Sequence, residues 1–129
     1  MNDQKLIFIV DDDPFINTLI LKRFASDEYA LEAFETGEDC LKAMNKNPDL
    51  VILDYLFTKT DENYLDGMQV LEKIKSLKSD LPVIMLSGQD KGEVVLELAR
   101  KGINNYIIKD SNLISNLDAA IKELFGRRS

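Results

Sequence analysis

Histidine is absent from the 129-residue sequence. Its absence excludes imidazole-dependent catalytic triads, histidine metal sites and a histidine general base. Cysteine is nearly absent, since Cys40 is the single one, and this excludes an internal disulfide and a zinc site built from cysteines. We interpret Cys40 as a small buried side chain on a helix. Any chemistry of this protein therefore depends on carboxylates, lysines and hydroxyl groups.

Positive charge is also scarce, because 16 lysines and arginines face 23 aspartates and glutamates, for a net charge of -7 at pH 7. Nucleic acids and anionic membranes bind cationic surfaces, so neither is an expected partner. Long apolar runs are missing too. The apolar segment that follows the polar residues Met1 to Lys5 is too short for a signal sequence or a membrane span. We therefore expect a cytoplasmic protein with one domain over residues 1–129 and no output domain.

Short apolar segments, partly β-branched, predict five strands. They are LIFIV (6–10), ALEAF (30–34), LVIL (50–53), PVIML (82–86) and NYII (105–108). Helical periodicities lie between and after them: Ile16, Ile20 and Phe24 share one face, as do Val70, Ile74 and Leu77, and also Ile114, Leu117, Ile121 and Leu124. The alternation of strand and helix predicts an α/β fold, a doubly wound five-stranded parallel sheet with helices on both faces.

Four sequence signals indicate where helices begin. They are Asp13 before Pro14, TGEDC before Leu41, DGMQV before Leu71, and Ser111 before Leu113.

Reactive side chains follow the ends of the predicted strands. They are Asp11 and Asp12 after the first strand, Asp54 after the third, Ser87 after the fourth and Lys109 after the fifth. Because the carboxyl ends of parallel strands meet at one edge of a sheet, we expect these side chains to share a pocket. Clustered carboxylates repel one another, and a hard cation such as Mg²⁺ would neutralise them. Since Asp13 is better used as a helix cap, Asp11 and Asp12 are left for the ion.

Four segments resemble the receiver domain of two-component response regulators. They are IVDDDP, PDLVILDY, PVIMLSG and GINNYIIKD, each at a strand end and in the family's order. The resemblance covers essentially the whole chain. It implies a flavodoxin-like (βα)5 fold and a signalling protein, not an enzyme with an external substrate, that takes part in a phosphorelay with Mg²⁺ or Mn²⁺.

The resemblance also implies a role for each site residue. Asp54 would accept the phosphoryl group, with Ser87 and Lys109 contacting the phosphate. The metal ligands would be Asp11, Asp12, Asp54 and the backbone carbonyl of Leu56. Tyr106 would act with Ser87 as the switch that reshapes the surface of the fourth helix, fifth strand and fifth helix.

The implied partners are a sensor histidine kinase or a histidine phosphotransfer protein, and an unidentified downstream protein. Any phosphohistidine donor must belong to a partner because this chain has no histidine. We expect a monomer, or a weak homodimer that forms on phosphorylation.

The sequence departs from the family pattern in three places. The segment from Asp54 to Gly67 is about twice as long as a usual strand-to-helix loop, and we hypothesise that it restricts access or selects partners. In the family a proline with a cis peptide bond follows the lysine, whereas Asp110 follows Lys109 here. The Lys109–Asp110 bond is therefore either a strained cis bond or a trans bond that lets Lys109 approach the site differently. The third place is Leu56, at the position two residues after Asp54 that tunes the phosphate lifetime in the family. Its apolar side chain cannot orient a water for hydrolysis of the acyl phosphate, which predicts slow self-dephosphorylation.

The sequence also allows three other interpretations of function. A degenerate receiver would act as a docking scaffold without being phosphorylated. A phosphatase of the haloacid dehalogenase type also uses a nucleophilic aspartate, but it needs a second aspartate two residues later, where this chain has Leu56, and a cap domain. A nucleotide-binding module is disfavoured because neither a G-x-G-x-x-G nor a P-loop sequence occurs.

Overall fold

The computed structural model describes residues 4–55, 66–88 and 92–126. In this part of the chain the strands are β1 (Lys5–Val10), β2 (Tyr29–Phe34), β3 (Leu50–Asp54), β4 (Val83–Ser87) and β5 (Asn105–Ile108). The α-helices are α1 (Pro14–Phe24), α2 (Gly37–Lys42), α3 (Gly67–Leu77), α4 (Gly92–Arg100) and α5 (Leu113–Phe125), and a short 3-10 helix covers Met44–Lys46. All five predicted strands are confirmed, with small differences at their ends.

The strands form a single parallel sheet in the order β2-β1-β3-β4-β5. The register places Val10 beside Leu53 and Ser87 beside Ile108, so these strands end at nearly the same level. The residues that follow them therefore meet at one edge, near the point between β1 and β3 where the strand order reverses. The predicted doubly wound α/β fold is confirmed.

Both faces of the sheet are covered by helices. On one face, Phe8 and Val10 belong to a buried group of side chains, the first core cluster, that also contains side chains of α2, α3 and α4. On the other face, Ile7 and Ile9 belong to the second core cluster, together with side chains of α1 and α5. Because successive strand residues point to opposite faces, a strand that is covered on both sides must be apolar throughout.

Three of the four predicted helix starts are confirmed by their caps. Asp13 accepts a hydrogen bond from the backbone N–H of Phe15 at 2.9 Å. Thr36 caps α2 in the same way, and Asp66 forms a capping box with Gln69 at the start of α3. Each side chain satisfies a backbone donor that the first turn of a helix leaves without a partner.

Two predictions about helix ends were wrong. Helix α5 begins at Leu113 as expected, but the residue at its cap position is Asn112 and not Ser111, and its side chain makes no capping hydrogen bond. The Asp110 carboxylate accepts from the Asn112 backbone N–H at 2.8 Å. Leu77 does not share the buried face of Val70 and Ile74, since it is 61% exposed. It is the last residue of α3, where the chain leaves the helix toward β4.

Cys40 lies in the first core cluster, as the sequence predicts, with 0% of its surface exposed. Burial raises the pKa of its thiol to about 12. At pH 8 the folded protein should therefore contain on the order of two thousandfold less thiolate than a free thiol with a pKa of about 8.5. We expect Ellman's reagent to label Cys40 rapidly in concentrated urea and hardly at all in buffer. Fast labelling of the native protein would contradict the buried position.

None of the helices in the described ranges is both long enough and apolar enough to span a bilayer.

Candidate functional site

Three carboxylates cluster at the carboxyl edge of the sheet. Asp11 and Asp12 follow β1 and Asp54 ends β3, and each offers an oxygen within 4.8 Å of the other two. Asp11 is 0% and Asp54 2% exposed. Buried carboxylates this close repel one another and lose hydration, so the arrangement requires positive charge beside it.

Lys109 supplies part of that charge. Its Nζ lies 2.7 Å from Asp11 Oδ2 and 3.0 Å from Asp54 Oδ1, which joins the ends of β1 and β3. Burial lowers the pKa of Lys109, but the hydrogen bond to Asp11 and the negative charge of Asp54 outweigh this, so its pKa is raised overall. The ammonium therefore stays charged in the pocket.

The backbone after β5 holds Lys109 in place without a cis peptide. The Lys109 N–H donates to the Ser87 carbonyl at 2.8 Å, and the Asp110 N–H donates to the Ile108 carbonyl at 2.9 Å. No cis peptide occurs in the described residues, so the Lys109–Asp110 bond is trans. Of the two geometries left open by the sequence, the structure has the trans one, and Lys109 still contacts both Asp11 and Asp54.

The turn between β1 and α1 separates the roles of the three adjacent aspartates. The Asp13 N–H donates to Asp11 Oδ1 at 2.9 Å, while the Asp13 side chain caps α1. The Asp11 N–H donates to the Phe34 carbonyl at 3.0 Å, which ties this turn to the edge strand β2. Asp13 thus serves the helix, and Asp11 and Asp12 enter the carboxylate cluster as predicted.

Sequence reasoning missed Asn17. This side chain is 6% exposed, and its amide nitrogen donates to the Asp11 carbonyl oxygen at 2.8 Å. On α1 the buried residues are Asn17, Ile20 and Phe24, whereas Ile16 is only partly buried. The sequence feature that could have identified Asn17 is a polar residue within the apolar stripe of a helix, one turn after the aspartates.

Ser87 lies at the carboxyl end of the sheet, and Tyr106 lies two residues before that level on the neighbouring strand β5. Ser87 ends β4 and is 4% exposed. Tyr106 is half-buried in β5 opposite Met85, packs against the first core cluster, and lines an open cleft between β5 and α5. Leu56, predicted as a backbone ligand, lies outside the described residues, as do residues 57–65 of the long loop.

A doubly wound parallel sheet with clustered acids and a lysine at its carboxyl edge defines a flavodoxin-like α/β protein with a site suited to a cation. The sequence profile of the response regulator receiver domain matches residues 7–122. The chain therefore belongs to the response regulator receiver domain family of two-component signalling.

Similar proteins come from several organisms. The transcriptional regulatory protein CssR of Bacillus subtilis is 35% identical over 104 residues, which are 80% of this chain and 44% of CssR. A CheY-like response regulator receiver domain protein of Methanospirillum hungatei is 25% identical with a TM-score of 0.79, over 95% of this chain and 94% of that one. The CheX-CheY-BeF3-Mg complex of Borrelia burgdorferi contains a chain that is also 25% identical, with a TM-score of 0.79, over 95% of this chain and 90% of that one. This chain spans about half the length of the curated relatives it matches.

Proposed function

We propose that this protein is a Mg²⁺-dependent receiver that accepts a phosphoryl group on Asp54 from a partner's phosphohistidine. The observation that carries the proposal is the buried cluster of Asp11, Asp12 and Asp54, two of which pair with Lys109. Such a cluster costs stability in a folded protein, and it is useful where a cation and a phosphoryl group must be bound together.

The residues present fit a hard divalent cation. With all three carboxylates ionised, their charge of -3 and the +1 of Lys109 sum to -2, which one Mg²⁺ balances. Mg²⁺ binds oxygen at about 2.1 Å and retains water, so a few carboxylates on one side suffice. Asp11, Asp12 and Asp54 would hold it, with the Leu56 carbonyl as a further ligand, and Mn²⁺ would fit the same oxygens. The bound metal would neutralise charge on the phosphoryl oxygens.

Asp54 is the nucleophile in the proposed reaction. One of its carboxylate oxygens forms a bond to phosphorus while the bond from phosphorus to the donor's imidazole nitrogen breaks, and the imidazole leaves with the electron pair. Lys109 is already 3.0 Å from Asp54 Oδ1 and would pair with the transferred oxygens. The Ser87 hydroxyl would donate to one of them. Positioning and charge supply most of the catalysis in such transfers.

The proposed output is a change of surface shape. An acyl phosphate on Asp54 adds charge beside Ser87, and movement of Ser87 would let Tyr106 turn inward. Tyr106 lines the cleft between β5 and α5 and packs against the core cluster that contains Leu98 of α4, so the affected surface would be that of α4, β5 and α5. A downstream protein would bind this surface or receive the phosphoryl group. The donor would be a sensor histidine kinase or a histidine phosphotransfer protein.

Intact mass spectrometry tests the proposal after incubation with acetyl phosphate and Mg²⁺. We expect a gain of about 80 Da, one phosphoryl group, in the wild-type protein. The gain should vanish with EDTA and in Asp54→Asn, which keeps the size of the side chain but is a poor nucleophile. Asp118→Ala is the matched control, because Asp118 is 46% exposed on α5 and should label normally.

An unlabelled wild-type protein, under conditions that label an ordinary receiver, would contradict the proposal and favour a docking scaffold that is never phosphorylated. Labelling that persists in Asp54→Asn would place the acceptor elsewhere.

A further inference from the structure

Asn17 occupies a position where an apolar residue would be expected. It is buried on the same face of α1 as Ile20 and Phe24, which belong to the second core cluster. Its amide oxygen is buried and has no hydrogen-bond partner among the described residues. A buried acceptor without a partner costs stability, so core packing alone does not account for asparagine at this position.

The amide nitrogen of Asn17 supplies a hydrogen-bond donor to a backbone carbonyl just after the end of β1. Within a parallel ladder the carbonyl of a strand residue accepts from the neighbouring strand. Asp11 lies one residue beyond β1, where the chain turns into α1 and the paired register with β3 ends at Val10. Asn17 Nδ2 donates to the Asp11 carbonyl at 2.8 Å and thereby replaces that partner.

With this bond, every polar atom of Asp11 is held. Its N–H donates to the Phe34 carbonyl, its carbonyl accepts from Asn17, its Oδ1 accepts from the Asp13 N–H, and its Oδ2 contacts Lys109. Among these contacts, the side-chain bond from Asn17 is the one that ties the Asp11 backbone to α1. Losing it would loosen the backbone that carries the Asp11 carboxylate beside Asp54 and Lys109.

We propose that Asn17 is a positioning residue that orients Asp11 for binding of the divalent cation through the hydrogen bond from its side-chain amide to the Asp11 carbonyl. The inference rests on the proposed function, since the cation belongs to that site. Residues that orient ligands in this way typically change metal affinity by about 10- to 100-fold when they are replaced.

The test uses the ¹⁵N-labelled full chain with Asn17→Leu, which suits the apolar face but has no donor, and Asn17→Ala in case leucine does not fit. Ile20→Val is the matched control, because it loosens the same buried face of α1 at a side chain that has no hydrogen-bond donor to lose. Amide exchange of Asp13, whose N–H donates to Asp11 Oδ1, is measured without metal, and Mg²⁺ affinity is then measured by titration of the amide resonances.

We expect Asp13 to exchange at least about tenfold faster in both Asn17 variants, and not in Ile20→Val, because the bond to Asp11 loosens locally. Mg²⁺ should bind about tenfold or more weakly in the Asn17 variants alone. Unchanged exchange and unchanged affinity would overturn the inference while leaving the proposed function intact. If the wild-type protein bound no Mg²⁺ at all, the proposed function would fail, and the inference about cation binding with it.

Discussion

Replacing Lys109 with methionine is expected to lower the free energy of unfolding of the metal-free protein by about 2 to 3 kcal/mol. The variant keeps the length of the side chain and leaves Asp11 and Asp54 buried without their ammonium. Losing one partner of a fully buried pair costs about 3 to 5 kcal/mol. We expect less here because the Lys109 side chain retains 19% exposure. Urea unfolding in EDTA, followed by circular dichroism, measures the loss.

The same variant should respond more strongly to Mg²⁺ than the wild-type protein. Without the lysine, the three carboxylates attract a divalent cation more strongly, and a ligand that binds only the folded state stabilises it.

Lys46→Met is the matched control for the loss of stability. Lys46 pairs with Glu32 at the surface, where 53% and 37% of the two side chains are exposed. This variant should therefore unfold nearly as the wild type does. Equal losses in the two variants would show that burial of the Lys109 contacts adds nothing to their strength.

Replacing Gly67 with alanine is expected to destabilise the protein by about 2 to 3 kcal/mol, at the upper end for overpacking. A Cβ at this position would lie 2.4 Å from the Tyr55 carbonyl oxygen and 2.6 Å from the Asp54 carbonyl oxygen. Backbone atoms cannot rotate away as a side chain can, so α3 or the end of β3 must shift. Because Asp54 ends β3, phosphoryl labelling should also slow.

Gly92→Ala provides the control for that experiment. Gly92 also begins a helix, but a Cβ there would meet no atom within 4 Å from the rest of the described residues outside its own turn of helix. Alanine has the higher helix propensity, so this variant should unfold at the same urea concentration as the wild type or slightly above it. If Gly67→Ala matched Gly92→Ala in stability and labelling rate, the close approach of α3 to β3 would not constrain the site.

The sequence alone determined the sheet and which charged side chains follow its central strands. Strands covered on both faces must be apolar in every residue, and this pattern is readable without coordinates in the segment Ile7 to Val10. The rule that parallel strands end at one edge then brings together Asp11, Asp54 and Lys109, as the structure shows. The helix cap at Asp13 was predictable for a similarly local reason, because a cap bonds within its own first turn.

Only the tertiary structure decided how these groups are held. Ile16 and Asn17 are neighbours on a helix, and periodicity cannot tell which of them faces the core until α1 is placed against the sheet. The contacts of Lys109 with two carboxylates depend on residues about 55 to 98 positions away in the chain, beyond the reach of any local pattern. Local propensities thus specify the elements of this protein, while the orientation of Asp11 and Lys109 is specified by contacts that exist only once those elements pack.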